Sequence, residues 1–114
     1  MPIKKIFAHL NCSDLGESID WFSRLFGRAP DERPMDGLAE WHHQTDAGFQ
    51  LFEDPLDAGH GTLTLIVEGL RYEYERLLGA GLDPGEIEGA DTVSLIRLHD
   101  PDDNLIVFAS PKQT

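Results

Sequence analysis

The residues of this 114-residue chain that could do chemistry are five histidines, one cysteine and a large acidic surplus. His9, His42, His43, His60 and His99 are each able to ligate a metal ion or move a proton. Their spacing argues against one shared ion. His42 and His43 are adjacent, so in a strand they face opposite sides. His60 falls in a stretch punctuated by Pro55, Gly59 and Gly61, and His99 stands at a turn. His9 can point into a cavity beside Phe7, with Glu40 or His42 across from it. Cys12 has no neighbouring histidine or basic residue to activate it, so it reads as a structural thiol. As the lone cysteine it has no intrachain disulfide partner, which fits a reducing compartment. No G-x-S-x-G elbow is present, and no glycine-rich phosphate loop opens a helix. Neither a nucleophile constellation nor a nucleotide site is expected.

The formal net charge of −12, from 21 acidic and 9 basic residues, disfavours nucleic acid and anionic membrane surfaces, whose phosphates require Lys and Arg. It favours a cationic ligand over an anionic one. No apolar run reaches the roughly 18 residues of a membrane span. The N-terminal apolar stretch meets His9 and Asn11 too soon for a secretory signal, so a cytoplasmic address is expected. The length suits a single domain.

The positioning elements follow from periodicity. Residues 3–12 alternate as a strand, with Phe7 and His9 on one face and Ile6, Ala8 and Leu10 on the other. Asp14 followed by Glu17 reads as a capping box opening a helix. Ile19, Phe22 and Phe26 recur at helical spacing beside Leu15 and Leu25, and Gly27 ends the helix. Residues 28–37, with Pro30 and Pro34, are loop or edge strand. Residues 38–44 and 48–53 form a hairpin around Thr45-Asp46-Ala47-Gly48. The order then recurs: a strand at 62–67, a helix at 69–78 with Leu70, Tyr74, Leu77 and Leu78 on one side, a loop or short strand at 84–89, and strands at 92–99 and 105–109 followed by a polar tail.

Laying Leu15 on Leu70, a shift of 55 residues, also lays Ile19 on Tyr74 and Phe22 on Leu77. Such an internal repeat determines the architecture. The expected fold is α+β: two βαβββ modules in tandem, residues 1–54 and 61–114 joined by a linker at 55–60, with mixed sheets curled around a cleft. Each module alone leaves one apolar sheet face open, so modules or subunits must pair. A homodimer is expected.

Asn11-Cys12-Ser13-Asp14-Leu15, then Ser18-Ile19-Asp20-Trp21-Phe22 and Leu25-Phe26-Gly27, resembles the first strand-to-helix segment of the vicinal-oxygen-chelate (glyoxalase/bleomycin resistance/extradiol dioxygenase) superfamily. Asp100-Pro101-Asp102-Asp103-Asn104-Leu105-Ile106-Val107 resembles its closing hairpin, with Asp103 where glycine is usual. The resemblance implies that metal-dependent members carry ligands at four converging positions, which fall here on Phe7, Gln50, Thr62 and Val107. Only the Gln50 amide could coordinate, whereas catalytic zinc keeps about three protein ligands and non-haem iron wants two histidines and a carboxylate. No metal, cofactor or catalytic residue is therefore expected. The cleft candidates are Phe7, His9, Trp41, Gln50, Thr62 and Val107. Phe7 and Trp41 would supply flat faces, and His9, Gln50 and Thr62 hydrogen bonds. Which of Glu40, Trp41 and His42 faces the cleft depends on strand phase, which the sequence reading leaves open. The resemblance points to a metal-independent protein that binds a small organic molecule, cationic or aromatic, like the bleomycin-resistance branch. The alternative is a metal-dependent lyase, isomerase or dioxygenase with ligands shifted around His9.

Overall fold

The computed structural model describes residues 1–89 and 91–111. The last three residues of the expected polar tail lie outside the described residues. The chain runs β1 (Ile6–Cys12), α1 (Leu15–Phe26), β2 (Leu38–Gln44), β3 (Ala47–Glu53), β4 (Thr62–Ile66), α2 (Leu70–Gly79), β5 (Glu88–Gly89), β6 (Val93–His99) and β7 (Leu105–Pro111). The first sheet has the order β1-β3-β2 and the second β4-β7-β6-β5. β1 pairs with β3, and β4 with β7, in parallel, whereas the hairpin partners are antiparallel. Among the described residues the architecture is the expected α+β duplication, with two mixed sheets and no closed barrel. It differs at one place. The first half has three strands, and its would-be fourth is reduced to an isolated bridge between Glu32 and Glu40. Pro30 and Pro34 explain the loss, because neither can donate to a ladder.

Asp14 caps α1 by accepting from the Glu17 backbone N–H at 3.1 Å. A tertiary bond satisfies a further first-turn donor, since Glu53 on β3 accepts from Leu15 N–H at 2.8 Å, and the return bond from the Glu17 side chain to Asp14 N–H that a full capping box would add does not form among the described residues. Gly27 closes the helix at φ 75°, the left-handed conformation that glycine adopts without steric cost. The last carbonyls of α1 are met from the other half of the chain: Arg76 on α2 donates to Leu25 O at 2.6 Å and Arg24 O at 3.2 Å. Leu78, expected on the packed side of α2, is 44% exposed, because the inner face is taken by Leu70 and Leu77.

Both helices lie on one side of the sheets. A contiguous core joins Leu10, Cys12, Phe22, Leu25, Trp41, Phe49 and Leu51 of the first half to Leu63, Leu70, Leu77, Ile96, Ile106 and Phe108 of the second. The extents of 45 × 37 × 24 Å fit one layer of sheet under one layer of helices. The other sheet face is therefore open.

The seam between the halves is polar, and it is buried at Asn104 and Asp100. Asn104, 1% exposed, accepts from Gly61 N–H at 2.9 Å and donates to Asn11 O at 3.1 Å and Asp100 Oδ2 at 2.8 Å. Asp102 accepts from the Ser13 N–H at 3.0 Å and from its hydroxyl at 2.5 Å. The turn that closes the second half thus clamps the strand-to-helix corner of the first. Asp103 sits at φ 74°, which Asp tolerates better than most side chains.

Burial pushes the Cys12 thiol up to about 11. Cys12 should therefore resist an aromatic disulfide reagent at pH 8 in the folded protein and release one equivalent per chain only in denaturant. Prompt labelling of the native protein would show the thiol to be accessible.

Candidate functional site

Alternation along three paired strands lays out the open face of the first sheet as a grid. Phe7, Gly48 and His42 form one row, His9, Gln50 and Glu40 the next, and Asn11, Phe52 and Leu38 the third. The first row is a packing device. A Cβ on Gly48 would stand 2.7 Å from the Phe7 ring, so glycine makes room for the benzyl group. The Phe7 ring then meets the His42 imidazole edge-on, with centroids 5.9 Å apart, and Lys5 Nζ lies 5.1 Å from its centroid.

The middle row is a polar chain. Glu40 accepts from Gln50 Nε2 at 2.8 Å, and Gln50 Oε1 stands 3.3 Å from His9 Nδ1. His9 Nε2 stands 2.9 Å from Asn11 Oδ1, and Asn11 Nδ2 donates to Asp57 at 3.2 Å. Each amide turns its NH₂ end to a carboxylate and its oxygen to the imidazole. The imidazolium makes both bonds, and either neutral tautomer makes one. Beside this chain His9, Asn11, Asp57, His60 and Asn104 line a small cavity of about 160 Å³.

The second sheet repeats the grid with different chemistry. Thr62, Leu105 and His99 form one row, Thr64, Val107 and Arg97 the next, and Ile66, Ala109 and Leu95 the third. Thr62 and Val107 are diagonal neighbours here, as Phe7 and Gln50 are on the first sheet. Arg97 is paired with Glu88 at 3.6 Å.

Five of the six expected cleft residues therefore lie on open sheet faces: Phe7, His9 and Gln50 together on the first, and Thr62 and Val107 on the second. Trp41 does not. It is fully buried on the helix side, with its ring 5.5 Å from Phe26, 5.9 Å from Phe49 and 6.2 Å from Phe22, and it donates from Nε1 to Arg28 O at 3.0 Å. The aromatic face of α1 draws in the one large apolar ring of β2. Glu40 and His42 are thereby placed on the open face. The pattern held a signal for this phase, because Glu40, His42 and Gln44 are the polar alternate positions of β2.

The loop before β2 is held against it. Arg28 donates to Asp31 at 2.6 Å and to His42 O, and Asp31 also accepts from His42 N–H at 2.6 Å. The Arg28 hydrogen bond, with that backbone donor, keeps the Asp31 carboxyl below its ordinary value. His43, on the helix side against Phe26, is shifted down by burial and then by the Arg28 charge.

The four positions used for metal in the superfamily do not fit an ion here: a benzyl group, a carboxamide, a hydroxyl and an isopropyl group stand there. His9 has both ring nitrogens engaged by amide oxygens. Among the described residues, one group of three offers ligand atoms within 4.8 Å of one another: Glu32, Glu40 and His42.

No family model matches the chain, and no curated protein matches it by sequence. Solved structures do. A glyoxalase/bleomycin resistance protein from Catenulispora acidiphila is 29% identical, with 94% of this chain and 97% of that one covered at a TM-score of 0.86. The chain has the vicinal-oxygen-chelate fold. At 18% identity the same fold recurs in TnmS3, an antibiotic binding protein from a Streptomyces species, covering 95% of each chain at a TM-score of 0.78. It recurs also in a bleomycin resistance determinant encoded on the transposon Tn5, at 18% identity and a TM-score of 0.78 over 96% of this chain and 98% of that one. Within this vicinal-oxygen-chelate fold, no described helix is long and apolar enough to cross a membrane.

Proposed function

We propose that this protein binds a small organic molecule, aromatic or cationic, on its open sheet faces, with no ion at the four superfamily metal positions. The observation that carries this reading is the first-sheet grid, where an aromatic ring seated on Gly48 adjoins a hydrogen-bonded row of His9, Gln50 and Glu40. An apolar wall with a few convergent polar groups is the usual make-up of a ligand site. Thr62 and Val107 would contribute from the second sheet. The names of two structural neighbours, an antibiotic binding protein and a bleomycin resistance determinant, support the same reading. The net charge of −12 favours a cation over an anion. In this reading the protein is a cytoplasmic homodimer. One chain leaves both faces uncovered, and a second copy would turn them into a walled cleft.

A thermal-shift screen of basic aromatic compounds tests the proposal. A true ligand at 100 times its Kd should add about 2.7 kcal/mol of stability. Phe7→Ala and Gln50→Ala should each weaken that ligand about tenfold or more, for a loss of at least 1.4 kcal/mol, and the liganded protein should sediment as a dimer. A screen in which nothing stabilises the protein, or a ligand indifferent to both substitutions, would count against it.

A further inference from the structure

We infer that Glu32, Glu40 and His42 bind one divalent transition-metal ion of the zinc class at the β2 edge of the open face. None of these is a superfamily metal position, and the inference neither needs nor supplies the small-molecule binding proposed above.

The geometry comes first. His42 Nε2 stands 3.2 Å from Glu40 Oε1 and 3.9 Å from Glu32 Oε2. Bonds of about 2.0–2.2 Å to a tetrahedral ion place its ligand atoms about 3.3–3.6 Å apart. The His42 nitrogen is thus within a few tenths of an ångström of that spacing from each glutamate, and all three donor atoms lie within 4.8 Å of one another. The backbone holds them there. Glu32 and Glu40 are paired by a two-bond antiparallel bridge, Glu40 N–H to Glu32 O at 2.9 Å and Glu32 N–H to Glu40 O at 3.3 Å. His42 follows Glu40 by two residues, so both side chains leave the same face of β2. The edge contact with Phe7 sets the imidazole plane.

Charge is the second, independent observation. Glu40 is only 8% exposed, and a buried carboxylate needs a compensating cation. Among the described residues its only ion pair is with His42. The two arginines of the preceding loop point elsewhere: Arg28 to Asp31 and His42 O, and Arg33 to Leu38 O at 3.1 Å. A divalent ion balances Glu32 and Glu40 and takes the Nε2 lone pair of neutral His42. Gln50 completes the arrangement by donating to Glu40 Oε2, which leaves Oε1 for the ion, as outer partners of metal ligands do. Glu32 lies at the exposed rim, so a fourth position stays open to water.

The test uses the full chain stripped with a chelator and dialysed, titrated with Zn²⁺ by calorimetry and with Co²⁺ by visible absorption. One ion per chain is expected, with tetrahedral Co²⁺ bands. His42→Ala and Glu40→Gln should each abolish the Co²⁺ bands. Gln50→Ala should weaken binding about 10- to 100-fold. His43→Ala, on the opposite strand face, should bind as the parent does, and circular dichroism would confirm that each variant is folded. No bound ion in the parent, or binding that survives both His42→Ala and Glu40→Gln, overturns the inference. Repeating the small-molecule screen with chelator present separates the two readings, since that binding should persist without the ion.

Discussion

Trp41→Ala should lower the stability of the folded chain by about 3–5 kcal/mol, the range for truncating a buried aromatic. The ring touches Phe22, Phe26 and Phe49 and is fully shielded from solvent. Its loss opens a cavity that the β2 backbone, pinned by the Arg28–Asp31 pair, cannot collapse to fill. It also leaves Arg28 O without its indole donor. Against a total of about 5–15 kcal/mol for a domain of this kind, the variant should melt at least 12 °C lower, at roughly 4 °C per kcal/mol. Trp41→Phe keeps most of the stacking and loses the N–H bond, so a cost of about 1–2 kcal/mol is expected. Differential scanning calorimetry on both variants decides the matter. A Trp41→Ala protein that melts like the parent yet fails to bind ligand would return this ring to the cleft.

Asn104→Ala is the second large effect. One carboxamide serves a backbone N–H, a backbone carbonyl and the Asp100 carboxylate across the seam between the two halves. Alanine leaves all three unmatched in a site that is nearly closed to water. Each costs about 1 kcal/mol or more, and the charged one is the most expensive, so a total near 3 kcal/mol is expected. Asp102→Ala, which loses two bonds to Ser13 in an exposed place, should cost about 1 kcal/mol.

The pH dependence has a definite sign. Burial raises the Asp100 carboxyl above its ordinary value of 3.8, while hydrogen bonds from Asn104 oppose the rise. A group raised on folding contributes stability that is complete below the unfolded value and is lost as pH rises through the folded value. Removing the Asn104 side chain takes away a bond to the ionised form and raises Asp100 further. The deficit of Asn104→Ala should therefore be larger at pH 7 than near pH 3.5, in urea titrations with an unchanged m-value. A deficit that is flat with pH would mean that Asn104 acts through the two backbone groups alone.

The chain alone carries the duplicated α+β plan, because its signals are local. The Asp14 cap, the Gly27 stop, the 3.6-residue stripe of Phe22 and Phe26 and the two-residue alternation of β1 each depend on neighbours a few residues away. It also determined that Phe7, Gln50, Thr62 and Val107 cannot together grip an ion, since that is a matter of donor atoms. The phase of β2 is settled by packing in three dimensions. One residue of slip exchanges Trp41 for Glu40 and His42 on the open face, and what fixes the choice is the aromatic side of α1 packed across the sheet. Only the fold, likewise, brings Glu32 onto Glu40, Asp57 onto Asn11 and Asn104 onto Gly61. Those pairs join positions 8, 46 and 43 residues apart. A hydrogen bond between such distant residues leaves no periodic trace in the chain, because it depends on where two backbones meet in space.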